Sequence, residues 1–174
     1  MAGTQKDKQL TTTQVGAIAE AVVASQVMIE SSGRLSPFRP VADDGGIDLL
    51  IYDKDTGRSL PVQIKGRTHT LKRSNSTKHG NTVHFEVREA TMKADPYAHL
   101  LGVLMNRYLD GIERAWLVPM MDVKRFARHH SRKYILRPSR QVKAKDKWTN
   151  YRCRDARDTV DRIIEILEEF DEAS

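Results

Sequence analysis

The sequence predicts an α/β or α+β fold in which helices flank a β-sheet, and three observations carry that expectation. A helix-period apolar stretch runs from Thr12 or Thr13 to about Ser32, several apolar runs of strand length follow it, and an amphipathic segment from Asp155 to Phe170 closes the chain. Strands framed by helices at both ends bury their apolar faces by layering helix on sheet.

The elements follow in order. Residues 1–11 are polar and read as a disordered tail, leaving 12–174 as one domain. A threonine at 12 or 13 caps the first helix, whose Val15, Ile18, Ala19, Val22, Val23, Val27 and Ile29 form a broad apolar surface, and Ser31-Ser32-Gly33 ends it;. Ser36 to Pro40 reads as an extended turn. Ile47 to Tyr52 and Leu60 to Lys65 read as strands joined by a hairpin connection, Lys54 to Arg58, in which Gly57 accepts a positive φ;. Gly66 to Asn81 is a basic loop. In Thr82 to Arg88, Val83, Phe85 and Val87 alternate as in a half-buried strand;. Leu100 to Met105 and Ala115 to Val118 form a second hairpin, Asp122 caps a short basic helix to about His130, Lys133 to Arg137 is another strand, and Arg140 to Arg152 is a basic loop;. In the closing helix, Val160, Ile163, Ile164 and Leu167 share the packed side.

Composition narrows the class. At 174 residues the chain is long enough for one real core;. Its apolar runs are short for a bilayer span, and its first 13 residues lack the apolar centre of a signal peptide;. One cysteine, Cys153, excludes an intramolecular disulfide framework and a cysteine-rich zinc site;. These features point to the cytosol and away from membranes. The net charge of +6 is segregated: eleven Lys or Arg face only Asp146 between Val123 and Arg152, and Lys65 to His79 holds five more with no acid. Segregated positive charge suits a polyanion, and a merely solvated basic face is the alternative.

Four polar residues interrupt apolar elements. Glu20 lies on the apolar first helix, between Gly16 and Ala17 on one side and Val23 and Ala24 on the other. Such a carboxylate needs a basic partner or a cation. Asp48 opens the strand Leu49-Leu50-Ile51 after Gly45-Gly46, and Gln63 and Lys65 interrupt the next strand. Residues two apart in a strand point the same way, so Gln63 and Lys65 share one face and Val62 and Ile64 the other. If the two strands pair as a hairpin, Asp48 meets Gln63 and Lys65 at one sheet edge, with Glu20 leaning over it. The six histidines show no ligand spacing, and no nucleophile elbow, phosphate-binding glycine loop or zinc pattern occurs;.

A helix Glu, then Asp-Gly-Gly-Ile-Asp before an apolar strand, then Val-Gln-Ile-Lys-Gly resembles the PD-(D/E)XK nuclease superfamily over about Val15 to Gly66. The superfamily includes restriction endonucleases, archaeal-type Holliday junction resolvases and some homing endonucleases. The resemblance implies a restriction-endonuclease-like α/β core with a central mixed sheet flanked by helices. It places Asp48 as the metal-binding Asp, Gln63 where an acid is usual, Lys65 as the motif Lys and Glu20 as the helix Glu. Gln63 follows the Gln-x-Lys pattern of the Mrr-like branch, and Ile47 stands where Pro often precedes the Asp.

The implied activity is Mg2+-dependent hydrolysis of DNA phosphodiesters, with Mn2+ as a substitute; a non-catalytic nucleic-acid-binding protein that retains the fold is the alternative. Mg2+ takes oxygen ligands and needs one or two carboxylates besides substrate phosphate. Glu20, Asp48, the Gln63 amide oxygen and the Ile64 backbone carbonyl are the expected ligands, and Lys65 orients the attacking water and stabilises the transition state. Arg67, Lys72, Arg73 and Lys78 beside the motif strand, Arg125, Arg128, Arg132 and Lys133, and Arg140, Lys143, Lys145 and Lys147 in the later loop are expected on DNA phosphates;. Trp148 and Tyr151 are read as anchors of that loop, with base stacking as the alternative. Cutting both strands with one small domain calls for a homodimer.

Overall fold

The computed structural model describes residues 10–42, 45–74, 77–92 and 96–169, so most of the expected N-terminal tail, the motif residues Asp43 and Asp44, and Phe170 lie outside the described residues. Helix α1 (Thr12–Glu30) is capped one residue earlier than expected. The Thr11 hydroxyl accepts from the Gln14 N–H at 3.2 Å and the Gln14 side-chain oxygen accepts from the Thr11 N–H at 2.8 Å. This reciprocal box needs Gln three residues after the cap, a spacing only Thr11 satisfies.

Among the described residues nine strands follow: β1 (Leu35–Phe38), β2 (Leu49–Asp53), β3 (Ser59–Arg67), β4 (Phe85–Arg88), β5 (His99–Met105), β6 (Ile112–Pro119), β7 (Arg128–His130), β8 (Lys133–Leu136) and β9 (Arg152–Cys153). Helix α2 (Met120–Phe126) sits between β6 and β7, and α3 (Ala156–Glu169) ends the described chain. Six strands form a sheet in the order β1-β2-β3-β5-β6-β9, and three form a second sheet in the order β4-β8-β7. Among the described strands only β3 and β5 pair in parallel, so the main sheet is mixed, as expected.

Two expectations are corrected here. The stretch read as a turn at Ser36 to Pro40 contributes to edge strand β1, where Pro37 opposite Ile51 removes no ladder bond the sheet needs;. The basic helix expected to reach His130 stops at Phe126: Ala127 turns extended, and Arg128 to His130 pair with β8.

The main sheet is buried on both faces. Ala19, Val23 and Val27 of α1 and Val160, Ile163 and Leu167 of α3 pack on Leu49, Ile51, Val62, Ile64, Leu101 and Val103. The other face, through Leu100, Leu104, Trp116 and Val118, meets Phe85, Val87, Tyr134 and Leu136 of the small sheet, with Trp148 fully enclosed. By length and composition α1 passes for a membrane span, against the expectation from its short apolar runs, because Glu20 and Glu30 are its only charges. Its Ala19-Val23-Val27 stripe is occupied by the sheet. The contact is close: a Cβ on Gly66 of β3 would collide with the Ala19 methyl, so glycine there lets helix and strand meet;.

One ion pair ties the edge of the sheet to α3. Arg34 donates two bonds of 2.8 Å to the fully buried carboxylate of Asp53 and one of 2.9 Å to Glu168. Asp53 also accepts from the Asp55 N–H and the Thr56 hydroxyl. These donors, Arg34 first, lower the Asp53 pKa from 3.8 to about 2;. A depressed carboxylate stabilises the fold above its unfolded pKa and loses that contribution as protons bind. Asp53→Asn should therefore cost about 1.5–3 kcal/mol in urea unfolding at neutral pH. The deficit should shrink as pH falls from about 4 toward 2, and a deficit constant over that window would contradict the assignment.

Candidate functional site

The period-2 alternation of β3 builds the site. Val62, Ile64 and Gly66 turn toward α1, so Gln63, Lys65 and Arg67 turn toward the small sheet. The antiparallel register places Leu49 opposite Val62, which brings Asp48 across from Gln63. Asp48 is locked to β3 at both ends: its N–H donates to the Val62 carbonyl at 2.9 Å, and its carboxylate accepts the Ile64 N–H at 2.5 Å. Asp48, Gln63, Lys65 and Arg67 line a cleft of about 350 Å³, completed by Gly46, Glu86, Arg88, Thr91 and Lys133. Four cations face two carboxylates there, a balance suited to phosphate;.

Gln63 is 2% exposed, and its amide oxygen has no hydrogen-bond donor among the described residues. Its orientation follows from the network. The Thr91 hydroxyl donates to the Arg88 carbonyl at 3.1 Å, so its oxygen is left to accept, and the Gln63 amide nitrogen donates to it at 3.3 Å. A buried amide oxygen without a donor is costly in isolation and acts as a ready ligand for a hard cation. With the Asp48 carboxylate beside it, this donor set fits Mg2+ or Mn2+, with substrate and water oxygens making up the shell. Among the described residues no group of three His, Cys, Asp or Glu side chains gathers for a metal.

Glu20 is placed differently. It rides on α1, is not among the residues that line the cleft, and has its carboxylate 3.8 Å from the Arg39 guanidinium. The same alternation that gathers Gln63 and Lys65 turns them away from α1.

Sequence reasoning missed Glu86, Arg88 and Thr91. Glu86 accepts from Lys133 Nζ at 2.7 Å and is 3.0 Å from His84 Nε2. These partners, Lys133 first, pull its pKa from 4.5 to about 2. The signal was present: with Val83, Phe85 and Val87 on one face of the strand, His84, Glu86 and Arg88 share the other;. Arg67 donates to the His84 carbonyl at 2.7 Å, and burial lowers its pKa while leaving it a cation;.

The remaining predicted contacts divide. Arg73 and Lys78 are exposed on the loop after β3. Lys72 lines a larger hollow of about 550 Å³ beyond the C-terminal ends of β3 and β5, with His69, His79 and Arg107. That hollow is larger but shows no carboxylate among its lining residues, whereas the smaller cleft holds Asp48 and Glu86. Arg125 stacks 5.0 Å from the Phe126 ring, and Arg128 and Arg132 are exposed. Lys143 and Lys145 are exposed, Arg140 pairs with Glu113 at 3.1 Å, and Lys147 donates to the Phe126 carbonyl. Trp148 is buried and the Tyr151 hydroxyl donates to Asp122 at 2.8 Å, so both anchor their loop. Burial pushes the Cys153 thiol up to about 11, which leaves it a poor nucleophile;.

No family model matches the chain, and no curated protein matches it. Among solved structures, a bacterial homing endonuclease, I-Ssp6803I, superposes with a TM-score of 0.60 at 16% identity, over 95% of this chain and 100% of that one. At that identity the likeness establishes a shared α/β fold.

Gly46 holds the cleft closed. Its φ is +69°, and a Cβ there would lie 2.7 Å from the Thr91 Cβ and 3.1 Å from the Gln63 amide nitrogen. Gly46→Ala should destabilise by about 1–2 kcal/mol for the backbone conformation alone, with more from the collision. Gly57 has a comparable φ of +72° and open space around it, so Gly57→Ala should show only the backbone part. Equal losses in thermal melts of the two variants would show that Gly46 does not press on the site.

Proposed function

We propose that the chain is a metal-dependent endonuclease of the PD-(D/E)XK type that hydrolyses phosphodiester bonds in DNA. The observation that carries this reading is the convergence of Asp48, the donorless Gln63 oxygen and Lys65 in one cationic cleft. The fold shared with a homing endonuclease supports it;.

Asp48, the Gln63 amide oxygen and the Ile64 carbonyl would hold Mg2+, which supplies Lewis-acid neutralisation of phosphate charge when bound. The Ile64 N–H holds Asp48 in one orientation, so no reorganisation of that carboxylate is needed as substrate arrives;. Lys65 presents a compact ammonium that orients water for attack on phosphorus and offsets the charge that builds as the ester P–O bond breaks. Arg67 and Arg88 take the flanking phosphate oxygens, and Lys133, already bound to Glu86, fixes that wall. Glu20, paired with Arg39, is assigned an outer role. A homodimer would place two such clefts on opposite strands.

Cleavage of plasmid and branched DNA in Mg2+ tests the assignment. Lys65→Ala should slow cutting by about 10²–10³-fold, Asp48→Ala by at least as much, and Glu20→Gln by less than either. Equal activity in wild type, Asp48→Ala and Lys65→Ala would sink the proposal.

One observation favours the non-catalytic alternative: of the two carboxylates described in the cleft, Glu86 is already held by Lys133 and His84 and is poorly placed to take a metal. Calorimetry with Mg2+ and Mn2+ separates the readings. On the enzyme reading wild type binds metal weakly and Gln63→Glu, which adds a charge, binds about tenfold or more tightly. Absence of metal binding in both, with salt-sensitive DNA binding retained, would leave a binding protein.

A further inference from the structure

The small sheet packs over β5 and β6, through Leu100, Leu104, Trp116 and Val118, and its cover stops short of β1 and β2. The strand registers set what lies open there. Phe38 stands opposite Leu50, and Leu50 opposite Pro61. Directly opposed residues share a face. Pro61 and Gln63 are two apart on β3, so this apolar row lies on the face that carries the cleft;. The same pleat repeat places Asp48 and Gln63 in the next row, about 7 Å along the strands. The apolar row crosses three strands, about 10 Å. Phe38 remains 55% exposed and Leu50 37%, and Pro61 is half-buried.

Tyr52, diagonal to Phe38 on the same face, braces its ring in a T-shaped contact with centroids 6.4 Å apart;. Phe38, Leu50, Tyr52 and Pro61 carry no charge, whereas the cleft beside them holds Lys65, Arg67, Arg88 and Lys133. An apolar plate and a cationic slot thus lie side by side. A ligand that satisfies both offers a flat ring and an anion within one repeat of its own backbone, and a nucleotide is that chemistry. In a paired and stacked duplex the grooves show only base edges, and the ring faces are hidden. The plate is therefore covered only by a base that has left the stack.

We infer that the Phe38–Leu50–Pro61 row is a stacking platform for an unpaired base next to the phosphate held in the Asp48 cleft. The substrate class is then DNA with an unpaired base beside the scissile bond, such as a mismatch or a bulge, in preference to continuous duplex. The inference rests on the cleft being a DNA site. Stacking on an aromatic ring tolerates any base, because every base has a π-face. The platform therefore selects the unpaired state and reads no sequence. A base that is already unpaired also costs less to extrude than a paired one, which adds to the discrimination. Leu50 and Pro61 continue the plate from Phe38 to β3, the strand that carries Gln63 and Lys65.

The test is a double-mutant cycle on DNA binding by the full chain, read by fluorescence anisotropy without divalent metal. Three duplexes of one sequence are compared: fully paired, carrying one central unpaired adenine, and carrying an abasic residue in place of that adenine. Wild type should bind the unpaired-adenine duplex about fivefold to a hundredfold more tightly than the abasic one, and the fully paired duplex more weakly than the unpaired-adenine one. The adenine-to-abasic ratio should hold as salt rises while both affinities fall, because stacking is uncharged and phosphate contacts are not. Phe38→Ala should bring the two constants to within about twofold of each other, and Phe38→Trp should restore the gap. Equal wild-type affinities for the adenine and abasic duplexes, or a gap that Phe38→Ala leaves intact, would overturn the platform alone. A wild-type dimer that Phe38→Ala dissociates, together with equal affinities, would assign the face to a second copy of the chain instead. The full gap without cleavage in Mg2+ would defeat the enzyme reading and leave the platform standing. Failure of wild type to bind any of the three duplexes would overturn both.

Discussion

Strand β3 lies between β2 and β5 with the helices against one of its faces and the three-stranded sheet against the other, so every side chain along it is committed to one of two environments. Val62 and Ile64 complete the helix-side core; Gln63, Lys65 and Arg67 face the cleft. A slip of one residue in the β2–β3 register would send Gln63 and Lys65 beneath α1 and expose the valine and isoleucine to the cleft, at a cost of several buried apolar side chains and two unpartnered polar ones. The hydrophobic demand for that register is therefore also what aligns the polar groups. The bond from Ile64 N–H to Asp48 reads out the register directly, because it joins a backbone group of β3 to the side chain at the entrance of β2.

The charge of the molecule is divided by the same layering. Cations that look alike in sequence have different occupations. Arg34 and Arg58 clamp the β2–β3 hairpin and the strand before it to α3. Arg152 ties the long loop together through the Ser139, Gln141 and Ala144 carbonyls. These guanidiniums use several fixed donors at once, which suits structural bridging. Among the described residues the Arg88, Arg128 and Arg132 side chains make no such bridges, and Arg88 lines the cleft. The basic composition overstates the free positive surface, while the small sheet brings Arg88 and Lys133 to the cleft beside Lys65 and Arg67.

Gln63 shows how a neutral residue takes part in such a site. Its amide nitrogen is held by Thr91, whose own proton is committed to Arg88, so the oxygen is presented to the cleft with its direction set. An acid in that place would carry more charge for a cation and more repulsion toward Asp48 and phosphate. On the proposed reading the amide would trade metal affinity for a less anionic cleft, in keeping with the four cations that line it.

The sequence by itself determined the first and last helices, the strands β2, β3, β5 and β6 between them, the hairpin between β2 and β3, and the common face of Gln63 and Lys65, since strand alternation and turn chemistry are local and need no knowledge of distant residues. It also exposed a polar face on the strand ending at Arg88, through the spacing of Val83, Phe85 and Val87. It could not say what that face would cover, that Arg128 to His130 would pair with β8 as a strand, or that Glu20 would meet Arg39. Those outcomes depend on pairings between segments tens of residues apart, chosen by which apolar surfaces fill one another, and only the tertiary structure decided them.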